Sequence, residues 1–258
     1  MDGFEFGEAA IALPKGAWAR TERRLLKRGG RIVLGLTQGR QRPYVYPLTT
    51  PAGFPVTSEC PADHPHHNSF WIGADHVHCR MPVEGGKFEE YTYNFYVDEV
   101  FQGRAPGRLV ATDVAFEPLG ANECRLRQEI EWRGPVEWAA PDGRLAARER
   151  RTLTVRLTER ATVIDVRSEL AAAEWDFTLG PTRHAYFNVR AADTMTAANG
   201  GTMRDDRGHV GAANVTGTGA RWVCAEGPVG GGNRAGLAVL PHPADHPDLS
   251  WFVADWGV

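Results

Sequence analysis

Three of the nine histidines of this 258-residue chain lie within four positions, at His64, His66 and His67. Asp63 precedes them and Trp71 follows, so the stretch combines imidazoles with a carboxylate and an aromatic ring. Imidazole titrates near neutral pH and can both donate and accept a proton, as general acid and base catalysis requires. The cluster therefore predicts a catalytic or ligand-binding site.

The proline at position 65 restricts the geometry of this segment. Proline fixes its own φ and disfavours a helical conformation of the residue before it, so an irregular strand or loop is predicted. In an extended segment His64 and His66 would share one face and His67 the other, unless a turn redirects them. From this segment we predict His66 and His67 as catalytic residues, with Asp63 orienting an imidazole.

Two other interpretations of the histidine cluster stay open. The imidazoles could be hydrogen-bonded structural groups that hold an irregular loop, or they could be ligands of a divalent metal. Standard ligand spacing such as H-E-x-x-H does not occur, so no cofactor is firmly implied. If a metal is bound, the predicted ligands are His64, His66, His67 and His184.

Other side chains could bind a polar, ring-shaped substrate. Aromatic faces can stack on a ring, and a guanidinium donates hydrogen bonds in a planar fork. Tyr93 shares one face of a predicted strand with Tyr91 and Phe95, although a core stripe would have the same pattern. The predicted substrate-binding residues are His64, Trp71, Glu89, Tyr93, Arg183, Arg190 and Trp251.

The composition is typical of a soluble globular chain, with 42% hydrophobic and 24% charged residues. The net charge of -3 comes from 29 basic and 32 acidic residues that are well mixed, so neither nucleic acid nor a membrane is an expected partner. The N-terminus lacks a secretory signal pattern, and no segment is long and apolar enough to cross a bilayer, which predicts a cytoplasmic protein. We expect a small-molecule substrate and a possible homodimer.

The four cysteines are widely spaced and include no C-x-x-C pair. Free thiols are therefore expected rather than a zinc site or a redox motif. Cys60 and Cys79 flank the histidines, but packing is the simpler interpretation of both.

Strand patterns fill the middle of the chain. Apolar and polar residues alternate over 109–116, 124–132, 151–157 and 162–170, as in half-buried antiparallel strands. No helical pattern of comparable strength accompanies them. The predicted fold is all-β, a large antiparallel β-sandwich in which residues 1–258 form a single domain.

Three segments outside these strands carry further predictions. Residues 21–28 could form a short turn of helix, and residues 235–240 are predicted to be a buried strand. The glycine-rich stretch 227–232 is expected to be a flexible surface loop, because neither a strand-to-helix context nor a P-loop lysine accompanies it.

Several motifs follow one another along most of the chain. They include Arg42-Pro43-Tyr44, the D-H-P-H-H run at 63–67, Asn199-Gly200-Gly201 and Asp255-Trp256-Gly257. In type and order they resemble the bacterial family labelled methane oxygenase PmoA, with D-H-P-H-H as the most specific part. Methane monooxygenase activity itself is not expected, since it needs membrane spans and a copper site that this sequence does not offer.

The resemblance implies a β-sandwich in the style of galactose mutarotase, called a supersandwich. This fold hosts sugar epimerases, lyases and hydrolases, many of which use histidine with a carboxylate. Where the family carries a Lys-Glu pair before a glycine and an aromatic residue, this chain has Arg183 and His184. That position adds His184 to the predicted catalytic residues.

The predicted function is an enzyme that acts on a carbohydrate or a similar polar cyclic molecule by histidine acid and base chemistry. Epimerisation, lyase elimination and hydrolytic ring opening each need one proton removed and another delivered. Two alternatives stay open. One is a metal-dependent hydrolase that uses the same histidines as ligands, and the other is a non-catalytic carbohydrate-binding module.

Overall fold

Strands dominate the computed structural model, which describes residues 3–11, 20–181, 186–244 and 249–258. The strands are β1 (Phe4–Glu8), β2 (Arg20–Arg28), β3 (Arg31–Gly39), β4 (Pro43–Leu48), β5 (Phe70–Ile72), β6 (Val77–Val83), β7 (Lys87–Asn94), β8 (Ala105–Pro106), β9 (Arg108–Pro118), β10 (Glu123–Arg133), β11 (Leu145–Leu157), β12 (Thr162–Ala172), β13 (Phe177–Leu179), β14 (Phe187–Val189), β15 (Thr202–Asp205), β16 (Val223–Gly230) and β17 (Asn233–Val239). Within those ranges, helical structure is limited to α1 (Ala212–Val215) and 3-10 turns at Glu84–Gly86, Asp193–Met195 and Ala197–Asn199. No helix of the described residues is long and apolar enough to span a membrane.

The described strands form four sheets, which confirms the predicted all-β sandwich. The largest has the order β1-β2-β3-β4-β5-β14, and a long four-stranded sheet has the order β12-β11-β10-β9. Two smaller sheets are β13-β6-β7-β8 and β15-β16-β17. Neighbouring strands are antiparallel except β7 and β8.

The long four-stranded sheet contains the four alternating segments predicted from the sequence. In β10, Cys124, Leu126 and Ile130 are buried while Arg127 is exposed, so one face packs inward and the other meets water. Burying each large apolar side chain stabilises the fold by roughly 1.5–3 kcal/mol. Strand β11 begins before the predicted segment, at Leu145.

Of the three buried apolar clusters that make up the core of the described residues, the two largest pack against the long four-stranded sheet. The first lies between the six-stranded and the long four-stranded sheets, where Leu34 and Leu153 belong to one buried group. The second joins the strands around the small sheet to the other end of the long sheet, and it includes Phe95, Ile130 and Trp132. The long sheet is therefore the layer that both clusters share.

A buried ion pair lies on the inward face of that shared layer. Arg151 donates to Glu149 through Nε (2.8 Å) and Nη2 (3.0 Å), and both side chains are at most 1% exposed. Trp132 Nε1 and Ser168 Oγ also donate to the Glu149 carboxylate, at 3.0 and 2.8 Å. Every oxygen of this buried carboxylate thus accepts two hydrogen bonds, as a buried charge requires.

Three local predictions were wrong in whole or in part. Residues 21–28 lie in β2, not in a helical turn, because β2 pairs with both β1 and β3 and buries Leu26 completely. The loop predicted at 227–232 is confirmed only at 231–232, which form the turn between β16 and β17. Gly227 lies within β16, and a Cβ there would meet Met195 Cα at 2.5 Å. Strand β17 forms as predicted but is not buried, because it is the edge strand of its sheet.

Candidate functional site

The histidine loop, residues 60–68, is folded back on itself by two tight turns. His64 N–H donates to Pro61 O (3.1 Å), and His67 N–H donates to His64 O (2.9 Å). Cys60 N–H closes the loop by donating to His67 O (3.0 Å). The segment is therefore irregular, as the proline predicts, and the alternation of an extended strand does not apply to it.

These turns bring the three imidazoles into one group. The rings of His64 and His67 are stacked, with centroids 4.6 Å apart and planes 10° apart. The His66 ring stands edge-on, 4.5 Å from His67 and 5.8 Å from His64. A turn therefore redirects His67 to the same side as His64 and His66, which the sequence had left as an alternative, and all three rings share one side of the loop.

His64 forms a hydrogen-bonded pair with Asp63. Its Nδ1 lies 2.9 Å from Asp63 Oδ2, and Arg190 Nη2 donates to Asp63 Oδ1 (3.0 Å) and Oδ2 (3.1 Å). Burial alone would raise the pKa of Asp63. The hydrogen bond with His64 and the charge of Arg190 together lower this pKa by more than burial raises it, so the net shift is downward. The ionised carboxylate selects the Nδ1–H tautomer of His64. Nε2 then carries the lone pair, and it has no hydrogen-bond partner among the described residues.

His67 has a different environment, although it is three residues away. Its ring is 3% exposed and lies between the rings of His64 and Trp71, with Trp256 4.6 Å from it. Burial, followed by the charges of His66 and His64, lowers the pKa of His67 to about 2. His67 is therefore a neutral ring near neutral pH, and its Nδ1 has no hydrogen-bond partner in the described part of the chain.

Trp256 reaches the histidines from the C-terminal segment. Val189 and Val258 exchange backbone hydrogen bonds of 2.6 and 3.0 Å, which hold this segment against β14. A Cβ at Gly257 would lie 2.1 Å from Val189 O, so only glycine allows the two backbones to approach this closely. The half-buried indole lies 5.3 Å from the His64 ring, and the Arg190 guanidinium lies 4.8 Å from its centre.

Arg42 connects the histidine loop to the protein interior. Its side chain is 1% exposed, and it donates to the backbone oxygens of His66 and Tyr96. The guanidinium also stacks on Trp71, 5.1 Å from the ring centre. Burial lowers the pKa of Arg42 to about 10. Because this value is still well above 7, the guanidinium is positively charged at neutral pH.

A cleft of about 30 Å³ opens beside the loop. That volume holds a water-sized molecule and is far smaller than a pocket that encloses a drug-sized ligand. A sugar could therefore contact the half-exposed side chains of the loop only from outside. The cleft is lined by Gly39, Arg40, Gln41, Arg42, Tyr44, Cys60, Pro65, His66, Asn68 and Asp98.

The structure brings most of the predicted residues together. The group that shares contacts around the loop comprises Asp63, His64, His66, His67, Trp71 and Arg190. Arg42 and Trp256 were missed as site residues, although both occur in the motifs that carry the family resemblance. Trp71 lies beneath His67 and is 1% exposed, so it supports the loop and offers no face to a ligand.

Three predicted binding residues lie elsewhere in the described structure. Tyr93 packs in the second core cluster, and Glu89 accepts a hydrogen bond from Tyr91 on an exposed part of β7. Trp251 belongs to the first core cluster and donates through Nε1 to Ala220 O (2.8 Å). Arg183 and His184 lie outside the described residues.

The histidine geometry also bears on metal binding. Among the described residues, no three His, Cys, Asp or Glu side chains are arranged to hold a metal ion. The lone pair of an imidazole nitrogen points outward in the plane of its ring. Since the rings of His64 and His67 are nearly parallel and stacked, their lone pairs do not converge on one tetrahedral ion.

The fold and the site together define the class of protein, an all-β sandwich with a half-exposed Asp–His pair on an irregular loop. The chain belongs to the Family of unknown function (DUF6807), whose model matches residues 25–258. Comparisons with curated proteins and with solved structures give no significant match.

Proposed function

We propose that this protein is an enzyme that acts on a carbohydrate or a similar polar cyclic molecule, with His64 as the proton carrier. The observation that carries this proposal is the pair formed by His64 and Asp63, whose side chains are 39% and 49% exposed. An imidazole fixed by a carboxylate at Nδ1 presents Nε2 to a substrate as a general base, and after protonation as a general acid. Arg190 holds the carboxylate from behind.

The other histidines have supporting roles in this proposal. His67 stays neutral and stacks under His64, so it fixes the ring plane without exchanging protons near neutral pH. His66 stands nearly at right angles to His67 and is half-exposed, so it can contact a substrate that lies outside the cleft. The catalytic assignment thus centres on His64, which the sequence placed among the binding residues.

The carbohydrate class is supported by the side chains around His64. Trp256 is half-buried, and its indole lies beside His64, so it can stack on the apolar face of a sugar ring. The Asp63 carboxylate and the Nε2 lone pair of His64 offer two acceptors to sugar hydroxyls at the edge of that indole. The resemblance to the PmoA-labelled family, with its mutarotase-like sandwich, supports the same class.

A non-catalytic carbohydrate-binding module is the second candidate. The specific observation in its favour is the position of Trp256 over the Arg190 guanidinium, since a fixed aromatic face is sufficient for stacking a sugar without turnover. The two candidates differ in whether His64 is needed for more than binding.

Ligand-observed NMR with a panel of monosaccharides, oligosaccharides, uronates and sugar lactones tests this proposal. The same spectra report both binding and new product signals. We expect at least one compound to be converted, and Trp256→Ala to weaken its binding. Trp138→Ala is the matched control, because Trp138 is fully exposed in another loop. Binding without conversion would favour the module, and no binding across the panel would contradict both candidates.

A further inference from the structure

The outer edge of β12 has no strand beside it in the part of the chain that the structure describes. β12 ends the long sheet, and its 11 residues pair with β11 without a shift in register. Its other edge takes part in no backbone hydrogen bond among the described residues. The strand contains neither proline nor glycine. A long, regular and unpaired edge is a template on which another strand can add.

β9, at the opposite end of the same sheet, has a partly covered edge. The Gln38 side chain donates to Leu109 O (3.1 Å) and accepts a hydrogen bond from Ala111 N–H (3.0 Å). Leu109 N–H donates to Gln41 O (2.6 Å), and a register shift against β10 further interrupts the strand. A second strand therefore cannot add along the whole of β9, and β12 is the uninterrupted edge of the long sheet.

The edges of the other sheets are shorter or already paired. β8, β13, β15 and β1 have 2, 3, 4 and 5 residues, and β14 pairs with the C-terminal segment through Val258. β17 has 7 residues, with Gly236 at its centre. Among the described strands, β12 is therefore the longest edge without an interruption.

The side chains of β12 alternate between the core and solvent. The half-buried series packs against the core clusters and consists of Ile164, Val166 and Leu170. The exposed series carries charge in the order minus, plus, minus and consists of Asp165, Arg167 and Glu169. A strand that adds at this edge must therefore match an apolar face on one side and this charge order on the other.

A second copy of β12 matches both faces in one antiparallel register. Residues directly opposite each other in an antiparallel pair lie on the same face, and opposite charges there are favourable. With the two-fold axis at Ser168, Arg167 of each copy lies opposite Glu169 of the other, so this charge pair occurs twice. On the inward face, Val166 of each copy lies opposite Leu170 of the other.

The neighbouring registers fit less well. An axis at Arg167 would place this residue opposite itself and Asp165 opposite Glu169, and like charges directly opposite are destabilising. An axis at Val166 would oppose Asp165 to Arg167. It would also place the Glu169 carboxylate opposite Val163, where it meets no partner charge. The charge order of β12 therefore selects the register centred on Ser168.

We propose that two copies of this chain form a symmetric dimer by antiparallel pairing of their β12 edges about Ser168. Residues 164–172 of the two copies pair, and the two four-stranded sheets become one continuous sheet. Because the contact uses the same edge of both copies, assembly stops at the dimer. This contact is the interface of the homodimer considered from the sequence, and it does not depend on the proposed catalysis.

Sedimentation velocity over a concentration series tests the proposal. The wild type should show a monomer–dimer equilibrium. Arg167→Glu places like charges opposite each other at both symmetry-related pairs, so the dissociation constant should rise by at least about tenfold. Arg127→Glu is the matched control, because Arg127 is also exposed and paired with an acid, Glu117 (3.2 Å), but lies in the interior strand β10. A wild type that stays monomeric, or an equal effect of the two variants, would overturn the proposal.

Exchanging the charges tests the register. Glu169→Arg alone should also weaken the dimer, because two arginines then lie opposite each other, whereas the register centred on Val166 predicts no such loss. Arg167→Glu combined with Glu169→Arg should restore wild-type association, because each opposed pair again joins opposite charges. An equimolar mixture of the two single variants should form heterodimers for the same reason. No effect of Glu169→Arg, or a double variant that associates as weakly as the single ones, would contradict the proposed pairing.

Hydrogen exchange of the wild type needs no variant. Backbone amides within residues 164–172 should exchange more slowly as the protein concentration rises, since pairing removes edge amides from water. Amides of β17, an edge that the dimer leaves exposed, should show no such dependence. Exchange in β12 that is independent of concentration would rule out the dimer.

Discussion

Lowering the pH from 7 to 5 should destabilise the fold, because His67 must take up a proton when the chain unfolds. In the folded protein the pKa of His67 is lowered to about 2, against 6.5 for an ordinary histidine. The unfolded chain therefore binds more protons than the folded chain throughout the window between these values. Stability contributed by His67 is fully present above the unfolded pKa and falls as the pH drops below it.

The magnitude follows from the two pKa values. Between pH 7 and pH 5 an unfolded histidine with a pKa of 6.5 becomes almost fully protonated, while His67 in the fold stays neutral. The free energy of unfolding should then decrease by about 2 kcal/mol from this group alone. The lowered pKa of Asp63 has its effect only as the pH falls through the acidic range of carboxylates, below this window.

Urea unfolding of the wild type and of His67→Phe at pH 5, 6 and 7 provides the assay. Phenylalanine keeps an aromatic ring between His64 and Trp71 but takes up no proton. The pH dependence of the variant should be smaller by about 2 kcal/mol over this range, whereas Trp138→Phe, which changes a fully exposed ring that takes up no proton, should keep the wild-type dependence. If His67→Phe lost as much stability between pH 7 and pH 5 as the wild type, the burial argument would be refuted.

Three further predictions concern the ion pairs and the C-terminal segment. Glu149→Gln should lower the free energy of unfolding in urea by about 3–5 kcal/mol, because it leaves a buried guanidinium unpaired, whereas Glu129→Gln on the exposed face should have little effect. Gly257→Ala should speed amide hydrogen exchange in the last residues, since its Cβ would lie 2.1 Å from a backbone oxygen, and Gly120→Ala, with nothing within 4 Å of its Cβ, should not. Asp63→Asn should reduce turnover of an identified substrate far more than it changes urea stability, because the half-exposed carboxylate orients the catalytic ring. If Glu149→Gln or Gly257→Ala had the same effect as its control, the corresponding prediction would be wrong. If the loss of stability in Asp63→Asn accounted for its loss of turnover, the orienting role of Asp63 would be contradicted.

The strands of the long sheet could be predicted because their environment is two-sided. One face of the sheet is buried and apolar and the other is exposed to solvent, so the alternation of apolar and polar residues predicts these strands directly. The predicted strand began at Arg151 and missed residues 145–150 of β11, where the inward-facing Glu149 pairs with Arg151. Their mutual pairing satisfies these charges, and that pairing cannot be inferred from the local pattern. The prediction failed at β2, whose conformation is set by pairing with strands on both sides.

The candidate site was predicted in part, for a similar reason. Residue types and density located the histidine loop, but the different environments of His64 and His67 depend on turns and on rings from elsewhere in the chain. Trp256 lies almost two hundred residues away and arrives through pairing with β14. Arg42 approaches from the position just before β4. Such contacts follow from tertiary structure, so sequence spacing could not show which histidine is exposed.

The central claim, that His64 carries the proton, is tested most directly by the kcat/KM of His64→Gln on the first substrate found. His209→Gln is the matched control, because His209 Nδ1 also contacts an aspartate, Asp205 (2.7 Å), outside the histidine loop. Loss of a general acid or base should lower kcat/KM by about 10²–10⁴-fold in His64→Gln, with His209→Gln close to wild type. Wild-type kcat/KM in His64→Gln would contradict the assignment.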